Sequence, residues 1–458
     1  MTALIRRLAS TGRSLVSLLL IVGLLVQPAQ AQSILRDAET EALLDEMSAP
    51  LIAAAGLSPR NVKMVMINDK EINAFVAGGQ IVYIHSGLIV AAANANEVQG
   101  VIAHELGHVA GGHIIRINEG IKTATGITLL SLLLGAAAIA AGAGDAGAGI
   151  LAAGQQAALG RFLAFSRTQE SSADQAGRSY LSAAGISGKG LISFFKKLQG
   201  IEFRLSIPQE DSYGRTHPLS GERIAILEES MRADPAWDRP GDPALEARFQ
   251  RVKAKLQGFV NEPRRTLNDF PESVTTIPAR YARAYAWHRS AYPDKALSET
   301  DALLALAPND PYFLELKGQI LLESGRPRDA IPVLREAVSR TNNQPLIAAL
   351  FGHALIATED EAHFGEAARV LKAAVSKDNE NPFAWYQLGV VFDRQGDSAR
   401  AAMASAERYH LQGQSRLALA NAEFALKGLP QGSADWIRAQ DLALVSRAQV
   451  DEEKRRKR

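Results

Sequence analysis

The sequence predicts two folds in one chain: an α+β unit, mostly helical with a small sheet, followed by an all-α solenoid of helix pairs. Three observations predict it. Residues 62–90 (VKMVMINDKEINAFVAGGQIVYIHSGLIV) alternate apolar positions around a Gly78-Gly79 turn, as short strands do. From Asn94 onward, Val98, Val101, Ile102 and Val109 fall at helical spacing, and Asn94 with Glu97 fits a capping box. Beyond residue 275, small residues recur at a fixed interval.

Composition narrows the classes. A chain of 458 residues has room for two or three domains, and 47% hydrophobic with 22% charged residues suits a globular protein with real cores. Fifty basic against 49 acidic residues leave a formal charge of +1, which gives no global pull toward nucleic acid. At the N-terminus, Arg6, Arg7 and Arg13 precede an apolar run from Leu15 to Val26, and Ala29-Gln30-Ala31 supplies small residues for cleavage. The expectation is a signal peptide over 1–31, cut after Ala31; twelve apolar residues are too few to span a bilayer comfortably. The absence of cysteine excludes a lipid-anchored lipoprotein, cysteine-based zinc sites and cysteine nucleophiles.

The first unit is expected over 32–262. Within it, residues 126–160 (GITLLSLLLGAAAIAAGAGDAGAGILAAGQQAALG) carry no charge from Gly126 to Ala143. Alanine, glycine, Thr128 and Ser131 favour helices buried in protein or dipping into a membrane surface over a true span. A helix over 161–185 follows, closed by Gly185. The pattern loosens over 232–244, a helix is expected near 244–258, and Asn261-Glu262-Pro263 reads as a linker.

The second unit, expected over 276–445, repeats itself. Gly318, Gly352 and Gly389 lie 34 and 37 residues apart, and Ala330, Ala367 and Ala401 lie 37 and 34 apart. A small residue in one helix and an alanine in the next, at a 34-residue period, is the tetratricopeptide pattern. A weaker copy covers residues 281–310. Both intervals lengthen where they overlap, so three extra residues fall between Gly352 and Ala367, in the turn ATEDEAHFG. Such solenoids present a concave groove for peptides or protein partners. A charged tail over 446–458, ending DEEKRRKR, is expected to be disordered and solvated.

The chemistry concentrates in VIAHELGHVAGGH. His104-Glu105-Leu106-Gly107-His108 fits H-E-x-x-H, in which residues four apart on a helix turn both imidazoles toward one zinc ion, one per chain. Glu105 then stands beside them as general base for a metal-bound water. A third ligand at His113 is disfavoured: it falls one residue short of the H-E-x-x-H-x-x-G-x-x-H register, which lands on Ile114. Glu170 is the better candidate, with Asp174 four residues on, placed to accept the far N–H of a zinc-bound imidazole. Glu119 and Glu202 lack such a companion. His217, in THPLSGERIAIL, is open to three roles: stabilising an oxyanion, capping the open zinc position, or capping a helix. His85, His288, His353, His363 and His410 have no partners at metal spacing and read as surface or packing residues. Asn73 and Phe75 stand where a sheet edge for an extended substrate is expected.

Together NAFVAGGQIVYIHSGLI, EVQGVIAHELGHVAGGH, SRTQESSADQAG and THPLSGERI resemble the M forty-eight family of zinc metallopeptidases, of zincin-like (gluzincin) fold. A signal peptide in front and tetratricopeptide repeats behind resemble its periplasmic branch. The resemblance puts zinc ligands on His104, His108 and Glu170, the catalytic glutamate on Glu105, the Glu-x-x-Ala-Asp aspartate on Asp174 and the His-Pro histidine on His217. It implies a periplasmic endopeptidase acting on unfolded or misassembled outer-membrane proteins and working with the barrel-assembly machinery through the repeats. It further implies that 126–160 covers the active site and contacts membrane or substrate. The competing class is a tetratricopeptide scaffold or chaperone with a latent or vestigial protease, against which an intact Glu105 argues.

Overall fold

The computed structural model describes residues 34–140, 144–205, 217 and 219–456; the expected signal peptide lies outside them. The alternating stretch forms a four-stranded sheet in the order β1-β2-β4-β3, from β1 (Ile34–Leu35), β2 (Lys63–Ile67), β3 (Ala74–Ala77) and β4 (Ile81–His85). β2 and β4 run parallel, the other neighbours antiparallel, and β3 is the outer strand. Strand character stops at His85: residues 86–90, expected to be extended, fall in helix α2 (Ser86–Ala91), pinned by the Ser86 hydroxyl donating to the Asp69 carbonyl at 2.8 Å.

Helix α3 (Ala95–Gly111) starts on Asn94, whose side chain accepts from Glu97 N at 2.9 Å. The capping box closes one residue early: the Glu97 carboxylate accepts from Ala93 N at 2.8 Å while Ser193 and Lys197 hold it from the other side. Val98, Val101, Ile102 and Leu106 are almost fully buried. They pack between the sheet, helix α1 (Ala38–Ala54) and helix α6 (Lys189–Leu205), whose Phe194 and Phe195 fill the core.

Helices α4 (His113–Ala140) and α5 (Gly144–Ala184) form an antiparallel hairpin. The expected 161–185 helix is therefore continuous with the second half of the apolar segment. That segment is not buried in protein: Leu129, Leu130, Leu132, Leu133 and Leu134 are 49–71% exposed. No helix among the described residues is long and apolar enough to cross a membrane. Helix α7 (Gly221–Arg232) begins at Ser220, whose hydroxyl accepts from Arg223 N at 3.1 Å, and α8 (Pro243–Val260) follows. The expected linker is largely helix α9 (Pro263–Asp269), held by buried Thr266, whose hydroxyl donates to the Gln257 carbonyl at 3.0 Å.

Five helix pairs then stack: α10 (Ile277–Arg289) with α11 (Pro293–Leu306), α12 (Pro311–Glu323) with α13 (Pro327–Arg340), α14 (Pro345–Ala357) with α15 (Phe364–Lys377), α16 (Pro382–Arg394) with α17 (Ser398–Leu411), and α18 (Ser415–Gly428) with α19 (Ala434–Arg456). Gly318 and Gly352 meet Leu334 and Leu371 of the following helices, with no room for a Cβ. Ala330 and Ala367 are fully buried; Ala401 is half-buried. The insertion is a 3-10 turn at Glu361–His363, which lengthens the turn of the third pair. The pair α18–α19 escaped the sequence pattern because Ala422 takes the glycine's place in it and exposed Ile437 the alanine's. The tail expected to be disordered is helical through Arg456, with Ser446 and Val450 buried.

The two units meet along α8 and α10 through buried charge. Lys255, only 3% exposed, reaches Asp37 at 2.5 Å and Glu39 at 3.3 Å. Arg251 bridges Glu39 and Asp310, the latter at 2.6 Å, and the Tyr281 hydroxyl donates to Glu39 at 2.8 Å. At the rim, Arg36 meets Asp378 at 2.9 Å and Lys63 meets Glu380 at 2.7 Å.

Candidate metal centre

Four residues apart on α3, His104 and His108 present Nε2 atoms 3.2 Å from each other. What faces them is set by how closely α5 crosses. A Cβ on Gly107 would lie 2.7 Å from the Ala173 carbonyl oxygen, so this crossing requires glycine. The glycines of α3 admit neighbouring helices: Gly107 seats α5, and Gly100 seats α6 at Leu191.

The crossing carries Glu170 and Asp174, one turn apart on α5, into the core beside α3. Both are under 5% exposed, unlike a solvated acidic face. The Glu170 oxygens lie 3.4 Å from His108 Nε2 and 3.5 Å from His104 Nε2. Asp174 Oδ1 lies 3.0 Å from His104 Nδ1, on the far side of that ring. His217 Nδ1 stands 3.3 Å from His104 Nε2 and 3.2 Å from both Glu170 oxygens. Ligand atoms of His104, His108, Glu170 and His217 thus converge within 4.8 Å of one another, all buried. Glu105 is fully buried beside them; its carboxylate oxygens have no hydrogen-bond partner among the described residues, and Oε1 lies 3.5 Å from His217 Nε2.

Electrostatics follows from this burial. Desolvation pushes the Glu105 carboxyl up from its ordinary value and the His108 imidazole well below its own. For Glu170, burial pushes upward, but the charge of His217 and the hydrogen bond of His104 outweigh it and hold the carboxylate well below the ordinary range. For His104, burial works against the cation, yet Asp174 and Glu170 outweigh it and raise the imidazole to about 9. Glu170 and Asp174 are thus held as carboxylates, and they favour positive charge at the centre. Two imidazoles on one helix, a carboxylate from another and a further imidazole form a donor set that fits a metal cation. Asp174 Oδ1, beside His104 Nδ1, is placed to orient the ring of a His104 that would ligate through Nε2.

Sequence reasoning missed two participants. Arg223, on the first turn of α7, is bidentate to Asp174 through Nε and Nη2 (2.5 and 2.8 Å) and reaches Glu170 Oε2 at 3.1 Å, so it supports both acids at once. Its six-residue offset from His217 in HPLSGER was the available signal. His113 is not part of the converging set but turns inward, its Nδ1 2.9 Å from His108 Nδ1. Beside the centre, Leu163, Leu219, Arg223, Ile226 and Leu227 line a cavity of about 440 Å³ that reaches Glu170 and Asp174. Phe75 stacks on Tyr83 with ring centroids 5.2 Å apart, and the Asn73 carbonyl accepts from His85 N at 3.0 Å, so both residues fix β3 against β4. His85 is buried against Phe75.

Residues 36–231 match the model of Peptidase family M48. The "Beta-barrel assembly-enhancing protease" of Yersinia pestis is 26% identical over 403 residues, spanning 84% of this chain and 80% of that protein. The protein of the same name from Escherichia coli (strain K12) is 26% identical over 382 residues, spanning 81% and 76%. The "Metalloprotease LoiP" of Escherichia coli (strain K12) is 35% identical over 179 residues, 38% of this chain and 64% of that protein. Among solved structures, "YrrB: a TPR protein with an unusual peptide-binding site" overlaps 38% of this chain and 91% of its own, at 20% identity and a TM-score of 0.31. Through residues 36–231 the chain thus matches the Peptidase family M48 model, and a helical solenoid follows outside the matched segment.

Proposed function

We propose that this protein is a zinc-dependent endopeptidase of the periplasm that degrades misfolded or misassembled outer-membrane proteins and assists their assembly. The observation that carries the chemistry is the convergence of His104, His108 and Glu170 next to Glu105 in a buried centre. The names of the relatives that span both units support the substrate class. In this reading, residues 1–31 are a signal peptide, 32–262 the peptidase unit, 276–445 the repeats that recruit substrates or the barrel-assembly machinery, and 446–458 a charged C-terminal segment.

His104, His108 and Glu170 hold the zinc ion, and Asp174 and Arg223 keep two of these ligands oriented. Bound zinc lowers the pKa of a water toward ~7 and polarises the scissile carbonyl. Glu105 takes the proton of the attacking water and returns it to the leaving amine. Burial suits it to that task, since a carboxyl pushed upward in pKa is a stronger base. The substrate lies extended along the open edge of β3, which packs against α3 and leaves every second backbone N–H and C=O facing outward. The exposed leucines of the α4–α5 hairpin suit peripheral contact with a membrane surface.

One observation favours a second layer to this reading. His217 Nδ1 stands within 4.8 Å of the ligand atoms of His104, His108 and Glu170, so it would compete with water for a zinc ion that those three hold. His217 in this position keeps the enzyme latent, and the same side chain, once withdrawn, lies within reach of the oxyanion. His217→Ala is then expected to raise basal proteolysis.

The deciding experiment is Glu105→Gln assayed on an unfolded outer-membrane β-barrel protein: cleavage at the wild-type rate would sink the mechanism and leave the scaffold reading. Metal analysis of His104→Ala and Glu170→Ala tests the ligand set. Full zinc occupancy in either variant removes that residue from it.

A further inference from the structure

His108 offers Nε2 to the centre, 3.2 Å from His104 Nε2 and 3.4 Å from Glu170 Oε1. An imidazole that ligates through Nε2 while neutral carries its proton on Nδ1 and needs an acceptor there. The partner found at His108 Nδ1 is His113 Nδ1, at 2.9 Å, with the two rings nearly perpendicular at 80°. His113 must then accept through Nδ1 and keep its own proton on Nε2. We propose that His113 is a positioning residue of the metal site: it accepts the Nδ1–H of His108 and thereby fixes the tautomer and ring angle in which His108 ligates. This rests on the metal-site reading above.

The local fold is built to deliver this contact. Five residues along an unbroken helix, His113 stands about 140° away from His108. The helix is broken instead: α3 ends at Gly111, Gly112 takes a left-handed φ of 62°, and α4 starts afresh at His113, which turns its ring back over His108. A Cβ on Gly111 would lie 2.3 Å from His113 Nε2, so that glycine makes the seat for the ring. The two histidines of the motif are consequently supported differently. His104 leans on the carboxylate of Asp174, whereas His108 leans on another imidazole.

The test uses the full-length protein and reads zinc affinity by competition with a chromophoric chelator, alongside thermal melting of the metal-free form. His113→Phe, which keeps the ring volume without an acceptor, is expected to weaken zinc binding ~10–100-fold with unchanged melting. His113→Asn, whose side-chain oxygen overlays Nδ1, is expected to recover most of that loss. Gly111→Ala, which displaces the ring from outside, is expected to match His113→Phe and serves in its place if that variant does not fold. Wild-type affinity in His113→Phe overturns the proposal, and so does an Asn variant no better than Phe, since packing alone then explains the residue. His108→Ala separates the readings: wild-type zinc affinity there removes the metal-site assignment itself. Lost affinity in His108→Ala beside intact affinity in His113→Phe removes only the role given to His113.

Discussion

The metal centre and the junction between the two units both bury charge, yet they are matched in different ways. At the junction, donors meet acceptors: Lys255 faces Asp37 and Glu39, Arg251 faces Glu39 and Asp310, and the Tyr281 hydroxyl completes Glu39. Its one surplus carboxyl, Glu315, is kept protonated by burial, which raises it to about 8. At the centre, acceptors meet acceptors. Ligand atoms of three histidines and the Glu170 carboxylate aim at one point, and the Glu105 oxygens have no hydrogen-bond partner among the described residues. A buried charge cluster that satisfies itself serves structure; one that converges unsatisfied is held open for a ligand or a proton.

If this contrast is right, substitutions at the two places act on different observables. The largest effect is expected from Glu105→Gln, a loss of ~10²–10⁴-fold in kcat with zinc retained and stability undiminished; a lowered Tm would erase the distinction. Lys255→Met should do the reverse. It takes the buried cation away from Asp37, while Glu39 keeps Arg251 and Tyr281, which costs about 3–5 kcal/mol in denaturant unfolding while zinc stoichiometry holds. Glu315→Gln sharpens the contrast through pH. The folded carboxyl titrates near about 8 against an ordinary 4.5, so the folded state holds the extra proton between these values. The stability this gives is complete below about 4.5 and is lost as pH rises through 8. The glutamine variant should therefore match wild type at pH ~4 and exceed it by ~2–4 kcal/mol at pH ~9; equal stability at the higher pH would show that Glu315 ionises freely. The smallest effect belongs to the exposed rim: Lys63→Ala, which removes the pair with Glu380, should cost under ~1 kcal/mol.

Sequence carried the local half of this picture. Helical period and H-E-x-x-H specified α3, and the four-residue spacing of Glu170 and Asp174 put both acids on one face of α5. The repeat period located the middle helix pairs and the three-residue insertion. What was illegible is long-range or turns on a single dihedral angle. One left-handed residue, Gly112, reverses the inference about where His113 points. The ties from Arg223 to Glu170 and Asp174 span about fifty residues and leave no periodic trace. The junction is invisible for the same reason, since Glu39 lies 216 residues from Lys255 and 242 from Tyr281.

Helix α5 runs unbroken from the apolar end of the hairpin to the core. Glu170 sits twenty-six residues beyond Gly144, so one rod about 39 Å long separates this residue of the candidate metal centre from the helix's N-terminal end at the hairpin tip. A helix of that kind is a lever, with its pivot at the glycine crossing on α3. Whatever loads the far end must either bend the rod or displace the carboxylate, and so the exposed hairpin shares one mechanical element with the candidate metal centre.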